Sequence, residues 1–314
     1  MGDPKEDSAA SQPAGITSDG KTPAKQNPWY VLATIAGEQQ SSDGLDEDLQ
    51  LKNRAYWNAW AGQHLSAEEK AGIKSASDRS ILKDTPEWSE VEAEVTEVFA
   101  KRLSGLDLPI PAQGIYFQNV AFSAPVSFNG FYFPATADFR YATFSGVAFF
   151  PSATFSENAD FADATFSRDA YFLHARFSGD ARFFNATFSE YAFFNLATFS
   201  GPTKFVMTKF LGRANFTDAS FDAPCNFREA QFKVAYPDLE GTLLQAKTNI
   251  SAEDDFWPKT GKQKTDPEWE DEPQTDKQAA QSCAHLRQNM AAQGLPEAAH
   301  FFFRREMTHR SRIS

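Results

Sequence analysis

Between Phe117 and Phe232 a phenylalanine recurs at steps that alternate five and six residues without a slip, 22 rings over 116 residues. The array opens with Phe117, Phe122, Phe128 and Phe133. It continues through Phe139, Phe144, Phe150, Phe155, Phe161, Phe166, Phe172, Phe177, Phe183, Phe188, Phe194, Phe199, Phe205, Phe210, Phe216 and Phe221, and closes with Phe227 and Phe232. The unit is eleven residues long. Ala142-Thr-Phe-Ser-Gly-Val-Ala-Phe-Phe-Pro-Ser152 is followed by Ala153-Thr-Phe-Ser-Glu-Asn-Ala-Asp-Phe-Ala-Asp163. Neither the helical period nor the two-residue strand period fits this spacing, and a fixed tandem period signals a repeat architecture.

Two residues before each Phe the chain places a small residue. From Ala137 onward it is Ala almost throughout, with Thr203, Thr208 and Cys225 as exceptions. Residues two apart in an extended segment point to the same side. Ring and small residue therefore look inward together, and the residue between them looks outward. Ser, Gly, Asp, Asn and Pro crowd the intervening positions and turn the chain. Short edges joined by frequent turns predict a coil.

Tandem A-x-F-x-x units resemble those of the pentapeptide-repeat family, in a Phe-centred, eleven-residue form. The resemblance covers Ile115 to about Lys233. It implies a right-handed quadrilateral β-helix with four edges per coil. A coil is then 22 residues and the array makes about 5.5 coils, roughly 25 Å long at about 4.8 Å per strand. The end coils would expose unpaired edges, so they call for caps.

The expected class is mainly β with flanking α. Residues 1–28, polar and rich in Ser, Pro and Gly, read as disordered. Residues 29–111 read as a helical N-terminal cap. Trp29, Tyr30, Val31, Leu32 and Ile35 form an apolar anchor within it, and a helix starts at Asp46. Ser66-Ala-Glu-Glu69 is a capping box, and a further helix spans Ser89 to Leu103 with Val91, Val95, Val98 and Phe99 inward. Residues 112–233 form the β-helix, after which the phase of the repeat is lost. Residues 234–276 read as a connecting segment that Trp257 and Trp269 tack to the rod. Residues 277–314 read as a helical hairpin broken near Gly294 and Pro296. The hairpin resembles the helical tail that follows the repeats in some bacterial members of the family.

The net charge of −12 is uneven: residues 1–111 carry −8, residues 112–232 carry −2 and residues 233–314 carry −2. Two cysteines, Cys225 and Cys283, are too few for a disulfide framework, so a reducing, cytoplasmic setting is expected. The N-terminal residues carry no apolar signal run, and no stretch reaches the ~20 apolar residues of a membrane helix.

Catalytic patterns are sparse. No phosphate-binding loop, C-x-x-C or H-E-x-x-H is present, and His285, His300 and His309 lack a metal-like partner set. No cofactor is expected. Ser123, Ser145, Ser167 and Ser189, and likewise Ser156, Ser178 and Ser200, fall at 22-residue intervals and read as turn formers, not nucleophiles.

The outward residues sort onto four faces. The Phe122 face shows Thr143, Thr165, Thr187 and Lys209; the Phe133 face shows Thr154, Arg176, Thr198 and Ser220. The Phe117 face shows Asp138, Asp160, Arg182 and Lys204. The Phe128 face shows Ser127, Phe149, Tyr171, Phe193 and Asn215. Phe149, Tyr171 and Phe193 make an aromatic stripe that solvent alone does not favour. Two readings stay open: a terminal element covers the stripe, or it is a partner or self-association surface.

The expected function is a non-enzymatic scaffold that presents the rod to a protein partner, with a homodimer as one form. A DNA mimic acting on type II topoisomerases would need an acidic rod surface in place of phosphates, and a rod at −2 argues against that and against DNA binding. A third reading is a relative of membrane-attached members, with Arg304, Arg305, Arg310 and Arg312 near anionic lipid.

Overall fold

The computed structural model describes residues 20–41, 44–73, 82, 85–245, 247–258 and 274–313. The Phe array winds into a parallel β-solenoid of about six turns, in which two-residue strands stack into four sheets of seven, five, five and seven strands. Residues 22 apart face each other across neighbouring coils: Phe149 pairs with Tyr171, and Tyr171 with Phe193. The 16 rings from Phe139 to Phe221 are fully buried, as are the alanines from Ala137 to Ala197 two residues before them. Within each face the buried rings stack almost parallel, with Phe144 and Phe166 4.7 Å apart and Phe172 and Phe194 4.9 Å apart. That is the separation of adjacent strands, so offset stacking and backbone pairing reinforce each other.

Each five-residue step turns through one left-handed residue. These recur every eleven residues: Asn119, Gly130, Tyr141, Ser152, Asp163, His174, Asn185, Leu196, Met207, Asp218 and Glu229. Ten of the eleven carry a side chain, at φ between 52° and 59°, which costs about 1–2 kcal/mol each for an L-residue. Sterics inside the coil impose this conformation, since Leu196 and Met207 have no local preference for it.

The N-terminal end of the rod is sealed edge by edge. Thr22–Pro23 form a strand that pairs in parallel with Val120 and Ala121. Residues 20–28 are therefore ordered, unlike the sequence reading of them. Their strand is specified by the open edge of the first coil, not by their own composition; residues 1–19 lie outside the described residues. On the other edges side-chain amides replace the missing coil. Gln39 donates to the Ser127 carbonyl at 2.8 Å and accepts from the Ser127 amide at 2.7 Å. Asn58 donates to the Gly130 carbonyl at 3.0 Å and accepts from the Tyr132 amide at 2.9 Å. Asn27 donates to the Tyr116 carbonyl at 2.9 Å.

The same segments cover the first rings. Helix α1 (Pro28–Ala33) sets Tyr30 edge-on to Phe122 at 5.9 Å. Helix α2 (Glu47–Ala61), capped by Asp46, stacks Trp57 on Phe131 at 5.2 Å. Helix α3 (Ala67–Gly72) starts in the Ser66–Glu69 capping box, and α4 (Trp88–Arg102) buries Val91, Val95 and Phe99.

Past Phe232 the winding continues, where the sequence reading had the phase lost. Asp238 bridges to Asn215, Leu243 to Ser220, and Asn249–Ile250 pair with Asn226–Phe227. These partners are 23 residues apart, so one extra residue enters this coil. Leu239, Leu244 and Ile250 then take the places of the rings, with Leu239 and Ile250 buried. Trp257 stacks on Phe232 at 5.1 Å and meets Phe302 edge-on at 5.0 Å. It thereby joins the last coil to the hairpin of α5 (Asp276–Ala292) and α6 (Pro296–Ile313). Trp269 lies outside the described residues.

Arg305 fastens the hairpin to the rod. It is buried, and it donates to the Tyr236 hydroxyl at 2.6 Å, the Pro258 carbonyl at 2.8 Å and the Asp254 carboxylate at 2.5 Å. No helix among the described residues is long and apolar enough to cross a membrane.

Candidate interaction face

Parallel pairing at a 22-residue offset puts like positions of successive coils directly above one another, so a chemical choice made at one outward position becomes a column. The Phe122 column carries Thr143, Thr165 and Thr187 before Lys209, and the Phe133 column carries Thr154, Arg176, Thr198 and Ser220; Thr packs well on a pleated surface. On the Phe117 column the carboxylates are paired with arginines. Asp138 is 2.7 Å from Arg140, and Asp160 is 3.6 Å from Arg182, which also bonds Asp180 at 3.0 Å. The Asp138–Arg140 contact raises the guanidinium above its already high range, the hydrogen bond to the carboxylate being the main cause.

The Phe128 column is different. Phe149 and Tyr171 stack at 5.0 Å and 7°, and Tyr171 and Phe193 at 4.7 Å and 11°. All three are half-buried, with their faces against one another and their edges outward. A fourth ring joins them: Tyr191 stacks beside Phe193 at 5.3 Å and 9°, with the Arg213 guanidinium 5.9 Å from its ring centre. Asp169 ties two coils together, accepting from the Tyr171 hydroxyl at 3.1 Å and the Tyr191 amide at 3.0 Å.

Tyr191 escaped the sequence reading because it sits three residues before Phe194, not one. The signal was present in its column, which runs Val147, Asp169, Tyr191, Arg213 and borders the stripe. Of the terminal segments, Gln39 reaches this face at Ser127, which is buried; the rings beyond keep their exposed edges. A cover supplied by residues 1–19 or 259–273 falls outside the described residues.

Away from this face, titratable groups meet at the hairpin seam, where Tyr236 accepts from Arg305 at 2.6 Å and lies edge-on to His309 at 5.4 Å. His309 meets Asp276 at 2.6 Å within the hairpin, and Cys225 and Cys283 are both buried. Among the described residues no group of three His, Cys, Asp or Glu side chains could hold a metal ion. The amides of Ser145 and Ser178 donate to Phe122 and Phe155 carbonyls at 2.9 and 2.8 Å, as strand-end residues do. Three of the four arginines of α6 face acids: Arg305 meets Asp254, Arg310 meets Glu306 at 2.8 Å, and Arg312 meets Asp276 at 3.7 Å.

A family model for pentapeptide repeats, nine copies long, matches residues 128–176, 139–187 and 183–231. Residues 128–231 are an array of pentapeptide repeats. No curated protein and no solved structure matches the chain. The matched region contains the whole aromatic ladder. A pentapeptide-repeat coil constrains its inward ring and small residue through packing, and leaves its outward positions to any residue that tolerates a strand. The ladder is thus written in the positions that the fold does not dictate.

Proposed function

We propose that this protein is a non-catalytic, intracellular scaffold whose capped solenoid presents the Phe149–Tyr171–Phe193 ladder, widened by Tyr191, to a protein partner. The carrying observation is the alignment of half-exposed rings on one face of a rod whose other outward columns carry mainly Thr and charged residues. Aromatic residues are enriched at the cores of protein interfaces, and rings already stacked lose little freedom on binding. The pairing of Asp138 and Asp160 with arginines makes the rod a poor substitute for a phosphate backbone.

The test replaces Phe149, Tyr171 and Phe193 together with Thr, the residue of the neighbouring outward columns. The variant is expected to keep its strand signal and cooperative melting and to lose the partners that co-purify with the wild-type chain. An unchanged partner set in a folded variant overturns the reading.

A further inference from the structure

We infer that the occupant of the Phe128 face is a second copy of this chain, packed with the two rods antiparallel; this rests on the interaction-face reading above. Charge register favours this occupant. Take a two-fold axis lying in the face, parallel to the strands and midway between the coils of Tyr171 and Phe193. It keeps each column in place and reverses the order of coils. Arg168 then stands opposite Glu190 of the second copy, Asp169 opposite Tyr191, and Tyr171 opposite Phe193. Arg168 and Glu190 already lie 2.6 Å apart within one chain, so the axis closes a ring of four alternating charges around an aromatic centre.

Registers centred on a ladder coil fail on the same residues. Sliding the axis onto Tyr171 opposes Arg168 to Arg168 and Asp169 to Asp169; sliding it onto Phe193 opposes Glu190 to Glu190. Like charges brought together across an interface are strongly unfavourable. An axis midway between Phe149 and Tyr171 opposes Arg168 to Gly146 and Asp169 to Val147, and turning the rods parallel sets the Asp169 carboxylate against Leu173. The register between Tyr171 and Phe193 is the one of these that sets Arg168 against Glu190.

The face is about 19 Å along four coils and roughly 16 Å across at ordinary strand dimensions. That is below the ~800 Å² per partner of standard interfaces. The dimer is therefore weak and concentration-dependent.

Sedimentation velocity on the full chain, from low micromolar to submillimolar concentration, tests it, with melting curves confirming that each variant folds. The wild-type chain is expected to shift from monomer to dimer. Glu190→Arg, which opposes like charges, should weaken the dimer by about tenfold or more. The exchange Arg168→Glu with Glu190→Arg should restore it, and Tyr171→Thr should abolish it. A chain that stays monomeric throughout overturns the inference, as does a dimer indifferent to both Glu190→Arg and Tyr171→Thr. If a monomeric chain nevertheless captures another protein through the ladder, the second copy is excluded while the interaction face stands.

Discussion

Gln39 and the Ser127 peptide form a closed pair of hydrogen bonds, donor to carbonyl at 2.8 Å and acceptor from amide at 2.7 Å. Asn58 does the same for Gly130 and Tyr132. A primary amide sets an N–H donor beside a C=O acceptor, as a strand's backbone does, so each side chain stands in for a strand of the coil that is not there. The edge that would otherwise recruit another chain is closed without a further repeat.

Gln39→Ala leaves both groups of a buried peptide unpaired. It should cost about 1–3 kcal/mol, read as a lower urea midpoint at unchanged slope. Gln39→Glu should cost at least as much, because the donor to the Ser127 carbonyl is gone. Stability equal to wild type in both variants would show that the cap is ornamental.

Phe172 is buried between Phe150 at 4.8 Å and Phe194 at 4.9 Å. Truncating a buried Phe to Ala costs about 3–5 kcal/mol, and an unpaired carboxylate in the same place costs more. Phe172→Asp is expected to abolish cooperative melting of the rod. A transition near the wild-type temperature would overturn the inward register.

Met207 is a long apolar side chain held at φ 58° and 39% exposed. Asn185 and Asn119 occupy the same corner one and four coils earlier, and Asn tolerates the left-handed region better than Met. Met207→Asn should raise stability by about 0.5–1 kcal/mol, seen as a higher melting temperature. A lower one would mean that Met207 packs in a way its exposure conceals.

Burial pushes the Cys283 thiol up to about 12, and burial also raises Tyr236, which bonds Arg305 across the hairpin seam. An unfolded thiol titrates near about 8.5. The folded state therefore binds more protons between these values. The contribution is fully present below about pH 8.5 and is lost as pH rises toward 12. Peptide-resolved alkylation of Cys283 should be slow at pH 8 and accelerate steeply through that window as the hairpin loosens. Labelling at pH 8 at the rate of a free thiol would contradict the packing.

Counting rings made the solenoid legible, because each Phe is fixed by the same coil geometry and errors would break the phase. The ladder of Phe149, Tyr171 and Phe193 followed from the register alone. What the sequence hid was set by tertiary context. Thr22–Pro23 are a strand because Val120–Ala121 offer an edge. Gln39 and Asn58 are caps because of where α1 and α2 bring them, and a single amide carries no periodic signal. Leu239, Leu244 and Ile250 keep the five-then-six spacing but lie one residue out of phase with the rings, so a search for Phe stops at Phe232. The left-handed corners at Tyr141, Leu196 and Met207 are imposed on residues that do not advertise them.

The most direct measurement is site-specific photo-crosslinking of the full chain in cells, with the reactive side chain placed at Tyr171 on the ladder or at Thr165 on the Phe122 face. Both positions are outward and half-buried, so they sample the surroundings equally. Discrete crosslinked products at Tyr171 and none at Thr165 are the expected result, whether the product is a second copy or another protein. Equal labelling from both faces, or from neither, would contradict an aromatic interaction face.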